Sequence, residues 1–383
     1  MDKINLLVTI SILTIFISLF LSLFLLTVKT EHKLSNRLFA FFLVLTAIDI
    51  SSNLTDLFEI PLNGRIFLSS LFFLHLPVFY LYVLSVCYSD FKLKPKYLLH
   101  GIPFLAVNLI LIPRFYLVGQ DAKISFLAKI RDMPEIQFNH ILMHIQMLFY
   151  IIAAFMILRK AKRIYLENYA DASIESFTWL FQFTFALTVF YCVALLKNIF
   201  KFTEYPAISN WLKISLLFFE LIVIFWYLYK ALNNPGLFRN IDSKLKLVQH
   251  IISEEKNNEQ SIESEKEYHE DLLKLRDYME HEKPFLNPSL TIQDVSKDIE
   301  IPVRDLSLLI NHKLEQHFYD FVNAYRIEKA MEILKDGTKS KITILEILYE
   351  VGFNSKSSFN TAFKKQTGLT PTDYRKNLLN SSL

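Results

Sequence analysis

Residues able to do chemistry are sparse in this chain and fall into two groups with very different surroundings. The first group is polar side chains stranded in apolar runs: Asp49, Asn53 and Asp56 at spacings of four and three, then His75, His140 and His144, Gln182, Lys197 and Glu220. Spacings of three and four place side chains on one face of a helix. Such a set could line a pocket for a ligand or ion, or could hydrogen-bond one helix to the next. An Asp or Lys at the centre of a lipid-embedded helix costs about 2.5–3.5 kcal/mol on insertion scales, so either role must offset a real penalty. His140 and His144 are four apart, which suits two ligands of one metal. No HExxH motif accompanies them, and no metal or other cofactor is expected. These scattered groups form no nucleophile–base constellation, so no enzymatic activity is expected either.

The second group lies near the C-terminus: Lys356, Ser357, Asn360, Thr361, Lys364 and Lys365, with Phe359 and Phe363 set four apart among them. A helix that buries the two phenylalanines presents lysine, asparagine and hydroxyl groups on its other side. Lysine and serine can hold backbone phosphates there, and asparagine can read base edges in a major groove.

The elements that must carry these groups follow from the distribution of apolar residues. The chain has 383 residues, is 52% hydrophobic with 35 Phe, and has only 21% charged residues. Nearly all of the apolar excess lies before residue 233. A membrane span needs about 20 mostly apolar residues, and seven are predicted, near 4–28, 38–60, 66–88, 97–118, 138–158, 177–200 and 211–232. The first has no charge from Ile4 to Val28. It is longer than a signal-peptide core and lacks a small-residue cleavage site, so it is read as a retained helix. The loops after the first, third and fifth spans hold ten Lys and Arg, against five after the second, fourth and sixth. That bias predicts an N-terminus outside the inner membrane and, with seven spans, a cytoplasmic C-terminal half. Net charge is only +3 and identifies no partner. Cys87 and Cys192 both sit in apolar runs, so buried, inert thiols are expected rather than a disulfide or zinc site.

Residues 233–267 read as a connector. Asn233, Asn234, Pro235 and Gly236 stop the last span. Leu237, Ile241, Leu245, Val248 and Ile252 then make an amphipathic stripe that would lie on lipid or pair with a second copy, giving a homodimer. Residues 253–266 are a polar tether with a mean reach of about 20 Å.

Residues 268–383 read as all helical. Tyr268, Leu272, Leu275 and Met279 mark a leading helix. Two helix-turn-helix units follow, joined by a long helix from about Phe318 to Leu334 that buries Phe321, Val322, Tyr325 and Ala330. The first unit places a helix at about 291–299, a turn at Glu300 and Ile301, and a second helix to about Leu314 with Pro302 at its first position. Arg304, Ser307 and Asn311 share the face opposite Leu306 and Ile310. In the second unit Ile344, Ile347 and Leu348 are apolar, Gly352 permits a tight turn, and Ser355 caps the polar-faced helix. From 290 to 332 five basic residues meet eight acidic ones, whereas from 335 to 376 eight basic meet four acidic. Phosphate attraction scales with neutralised charge, so the second unit should anchor the domain and the first add selective contacts.

The run ILEILYEVGFNSKSSFNTAFKKQTGLTPTDYR resembles the second helix-turn-helix of AraC/XylS-type bacterial transcription regulators. LTIQDVSKDIEIPVRDLSLLIN and YRIEKAMEIL resemble the first unit and linking helix of the same family. The resemblance covers about 110 residues and implies two recognition helices, 302–314 and 355–365, in successive major grooves of promoter DNA, with RNA polymerase as a further partner. Leu348 departs from the family by standing where Ala is usual, and Glu315 stands where Gly is common. The apolar half does not resemble that family's sugar-binding module. It looks like the membrane-integrated variants, in which residues 1–232 would sense a small-molecule or envelope signal. Rival readings make the spans an anchor, a dimerising device, or a transporter with a regulatory tail; a transporter should show internal repeats, and none is evident.

Overall fold

The computed structural model of the chain describes residues 3–28, 33–54, 60–130, 132–170, 174–201, 206–233, 263–336 and 342–381. Two compact units emerge, Met1–Arg159 with Thr178–Asn240, and Lys160–Phe177 with Ile241–Leu383. Residues 160–177, placed at sequence level with the apolar half, thus group with the C-terminal one. The fold is all-α. The described residues form no strand, and contain one isolated antiparallel bridge, Tyr169 with Thr291.

Seven stretches, all in the first unit but for residues 160–168 and Phe177, are long and apolar enough to cross a membrane: Leu6–Thr27, Lys33–Leu54, Leu62–Cys87, Pro95–Tyr116, Pro134–Asn168, Phe177–Phe200 and Ala207–Lys230. The second starts earlier than expected, at Lys33, and is described as far as Leu54; its expected end at 60 falls beside residues 55–59, which lie outside the described residues. The fifth continues ten residues past the expected 158, because its polar end stays helical. Helix α1 (Lys3–Thr27) packs on α2 (Lys33–Ser51). Ser11, Thr14, Ser18 and Ser22 form a buried stripe of small residues along α1. Small side chains let helix backbones approach closely, and Ser22 donates to the Ala40 carbonyl at 3.1 Å.

The third span is broken. Helix α3 (Leu62–Ser70) passes through a 3₁₀ turn at Leu71–Leu74 into α4 (His75–Cys87). Pro77 has no N–H for the Phe73 carbonyl four residues back, and the Gln146 amide donates to that carbonyl at 2.8 Å instead. The fourth span, α5 (Ile102–Leu111), follows a 3₁₀ turn at Pro95–Gly101 and ends in a π-turn at Ile112–Tyr116 that contains Pro113. Helices α6 (Gln120–Ala128), α7 (Pro134–Asn168), α8 (Ile174–Lys201) and α9 (Pro206–Asn233) complete the spans and their loops. The aromatic interior centres on Phe39, whose ring lies 4.1 Å from Tyr227 and 4.8 Å from Tyr82 between centroids. Cys87 is buried as expected, but Cys192 is exposed on α8. Its position in an apolar run faced it outward from protein, not inward.

In the second unit α10 (Glu263–His281) is the leading helix, with Leu275 and Met279 fully buried. Helices α11 (Ile292–Asp298) and α12 (Val303–Leu308) make the first helix-turn-helix, α13 (Phe318–Lys335) is the connecting helix, and α14 (Ile344–Glu350) and α15 (Lys356–Thr367) make the second. Helix α16 (Pro371–Ser381) closes the chain. Each helix-turn-helix has its own core, one around Val295, Leu306, Ile310 and Val322, the other around Ile347, Leu348, Phe359 and Phe363. Pro302 takes the N-cap position (φ −54°, ψ 139°), one place before that expected, and α12 gives way after Leu308 to a π-turn at Leu309–Lys313. Most of the connector, residues 234–262 with its amphipathic stripe, lies outside the described residues.

Candidate nucleic-acid interface

The second helix-turn-helix is fixed at each joint by local chemistry. Thr343 and Glu346 form a capping box at the start of α14: the Thr343 hydroxyl accepts from the Glu346 N–H at 3.1 Å, and the Thr343 N–H donates to the Glu346 carboxylate at 2.7 Å. These bonds hold the Glu346 carboxyl below the usual carboxylate range. The turn after α14 needs glycine. Gly352 has φ +90°, and a Cβ there would lie 2.5 Å from the Phe285 carbonyl oxygen. Leu348, the bulky departure from Ala, is fully buried and accommodated.

Ser355 caps α15, its hydroxyl accepting from the Ser358 N–H at 3.4 Å, and Gly368 ends the helix in the left-handed region at φ +76°. Phe359 and Phe363 are fully buried, with rings in edge contact with Phe353 and Tyr374. Burying those two rings fixes which side of α15 faces out. Lys356, Ser357, Thr361, Lys364 and Lys365 are exposed and Asn360 is half-buried, so the six residues expected to face DNA share the outer side. Lys365 is engaged, its ammonium 2.7 Å from the Asp320 carboxylate on α13.

The first unit is built alike but presented differently. Thr291 and Asp294 form a second capping box, at the start of α11. Glu300 turns the chain at φ +56°, and Glu315 takes φ +52° where the family favours glycine. That left-handed backbone is the physical reason a glycine suits the site. Of the three residues expected on the outer face of α12, Arg304 is exposed, Ser307 is buried and Asn311 is half-buried. Asn311 donates to the Ser307 hydroxyl and to the Glu167 carbonyl, and its carbonyl accepts from the Phe318 N–H at 3.0 Å.

Sequence reading missed Arg326. Its fully buried guanidinium donates to the carbonyls of Phe285 at 2.7 Å, Ala170 at 2.6 Å and Asn287 at 2.8 Å. Its place four residues from both Val322 and Ala330, on the buried face of α13, was the available signal.

In the first unit of the fold a cavity of about 620 Å³, its open mouth included, brings together Asp49, His75 and Glu220 among aromatic side chains. His75 is buried and its Nε2 has no partner. The other expected pocket residues lie elsewhere. Asn53 donates to the Ser11 hydroxyl at 3.1 Å, joining helices, and His140 bonds the Ile136 carbonyl of its own helix. His144 and Lys197 are half-buried away from the cavity lining, and Asp56 falls outside the described residues. Among the described residues no His, Cys, Asp and Glu cluster could hold a metal ion.

Two helix-turn-helix units on one connecting helix, the second with a lysine- and amide-lined outer face, define a DNA-binding domain. A family model described as a helix-turn-helix domain matches residues 295–377. The chain is 33% identical over 92 residues to the transcriptional regulatory protein YesN of Bacillus subtilis, covering 24% of each chain. It is 31% identical over 88 residues to the melibiose operon regulatory protein of Escherichia coli, covering 23% of this chain and 28% of that one. An AraC-like transcription regulator of Streptomyces lividans is 30% identical over 88 residues, covering 23% of this chain and 28% of that one. The match spans about a quarter of the length of these relatives. By this domain the chain is similar, over its C-terminal quarter, to the helix-turn-helix domains of AraC-like and other bacterial transcription regulators. No solved structure matches it.

Proposed function

We propose that the chain is a multi-pass inner-membrane transcription regulator whose cytoplasmic C-terminal domain binds promoter DNA chiefly through α15. The outward face of α15 carries this reading: Lys356, Ser357, Asn360, Thr361 and Lys364 on the side opposite two buried phenylalanines. Arg304 of α12 and Lys365 would add contacts, with Ser307 and Asn311 contributing if α12 reads bases. The seven apolar helices and the excess of Lys and Arg in alternate loops support embedding with the N-terminus outside. RNA polymerase is a partner by family resemblance, and the stripe at 237–252 suits a second copy. Relatives named as transcriptional regulators speak against an enzyme.

The cavity supports a sensing role for the spans. Aromatic walls with two carboxylates and an imidazole make the kind of site that takes an apolar molecule bearing one polar group. A ligand there alters DNA binding only if it prefers one of two states of the unit. The bond between Asn53 and Ser11 favours a second reading for the remaining polar groups, that they pack helices together. The test is DNA binding by the full chain in lipid nanodiscs. Lys356→Ala, Asn360→Ala and Lys364→Ala together should abolish sequence-specific binding, and unchanged promoter affinity would overturn the assignment. Replacing residues 1–159 and 178–232 by unrelated membrane helices should abolish the response to signal; a surviving response would leave the spans as a tether.

A further inference from the structure

The outer face of α12 is covered beyond its first turn, where Arg304 stays exposed. Leu306, Leu309 and Ile310 point into the core of the first helix-turn-helix. The helical period then turns residues 304, 307, 308 and 311 outward. Yet Ser307 is only 4% exposed and Leu308 3%. Residues on the outer face of a DNA-reading helix are buried only when something lies across them.

The bond made by Asn311, the neighbour one turn on from Ser307, identifies a segment that reaches this face. Asn311 donates to the backbone carbonyl of Glu167 at 3.2 Å. Three residues on, Ala170 is stitched in: its N–H donates to the Leu290 carbonyl at 3.1 Å, and its carbonyl accepts from Arg326 at 2.6 Å. Ala170 is 1% exposed and belongs to the same apolar cluster as Leu306 and Ile310. Tyr169 pairs with Thr291 in an antiparallel bridge. Ile164, Tyr165, Glu167 and Asn168 are buried as well. Residues 160–170 are thus the final turns of α7 and the two residues after it, and they lie within the C-terminal unit.

We infer that residues 160–170 are an intramolecular mask on the first helix-turn-helix, and that DNA and this segment compete for the outer face of α12. The inference rests on the DNA-binding reading above and names its regulation. In the docked state α15 is open and α12 is closed, so the domain grips one major groove. Undocking frees Ser307 and Asn311 and lets α12 read a second groove. A signal acts by changing the docked fraction. Apparent affinity for a full site falls in proportion to the fraction of protein with α12 free.

The mask can be removed without touching the DNA-binding sequence. Ala170→Arg puts a long charged side chain where a methyl group is enclosed, and Ile164→Asp places a carboxylate on the buried face of the same segment. Each variant is compared with the unaltered full chain in lipid nanodiscs, by hydrogen exchange and by DNA footprinting and titration. In both variants the amide of Ala170 should lose protection. Affinity for the full promoter site should rise about tenfold or more, and the footprint should lengthen by about one helical turn. Loss of protection at Ala170 with unchanged affinity and footprint would overturn the mask. So would Ala170 exchanging freely in the unaltered protein. Failure of every form to bind any DNA specifically would reject the regulator reading itself, a result distinct from either of these.

Discussion

Lys356 and Lys364 lie eight residues apart on the exposed side of α15. At 1.5 Å per residue that separates them by about 12 Å along the axis, close to the roughly 12 Å width of the major groove. One lysine can then meet each of the two backbones flanking the groove, with Asn360 midway and facing the bases. Each phosphate neutralised contributes about 0.9 to the slope of log affinity against log salt. Lys356→Ala with Lys364→Ala should therefore shallow that slope by about 1.8. Between 50 and 200 mM salt the double variant should lose about twelvefold less affinity than the parent. Lys365→Ala should change the slope by much less, because that ammonium already pairs with Asp320 at 2.7 Å. The assay is fluorescence anisotropy of the nanodisc-held protein on one promoter duplex across a salt series. A slope unchanged by the double substitution, or changed as strongly by Lys365→Ala alone, would refute this placement of α15.

Asn360→Ala should cost about 1–3 kcal/mol of discrimination at one base pair while leaving the salt slope intact, read from a panel of single-base operator variants. Gly352→Ala should destabilise the C-terminal unit by at least about 2 kcal/mol, from a strained φ of +90° and a Cβ 2.5 Å from the Phe285 oxygen, measured by denaturant titration. Glu346 is held below the usual carboxylate range by its bonds to Thr343. Its stabilising contribution is therefore full above the ordinary carboxylate value and fades as pH falls through the lowered one; Glu346→Gln should flatten that acid limb in a pH series of thermal melts. Asp49→Asn and Glu220→Gln should each alter the response to signal without changing membrane insertion, followed with a promoter reporter and membrane fractionation.

Most of the second helix-turn-helix was legible in the sequence because its rules are local. The four-residue spacing of Phe359 and Phe363 sets the buried face, Ser355 sets the start of α15, and Gly352 sets the turn before it. The seven apolar helices were legible for the same reason, since length and hydropathy define them. What the sequence hid depends on contacts far along the chain. Ser307 and Asn311 sit on the face that periodicity assigns to solvent, yet Ser307 is buried and Asn311 bonds the Glu167 carbonyl, 144 positions earlier. Arg326 is a charge on an otherwise buried face, and its carbonyl partners come from two separate segments, Ala170 and the turn at Phe285 and Asn287. Likewise Asp49, His75 and Glu220 lie on different helices, and only their packing separates them from Asn53, which bonds Ser11 of another helix, and His140, which bonds its own.

The central claim is that a protein held in the membrane reads specific DNA through α15. Genome-wide DNA occupancy of the intact chain, crosslinked in cells and recovered from the membrane fraction, tests it most directly. The prediction is a discrete set of promoter-proximal peaks that vanish when Lys356, Asn360 and Lys364 are all replaced by Ala. Occupancy no higher than background, or peaks that survive that replacement, would contradict it.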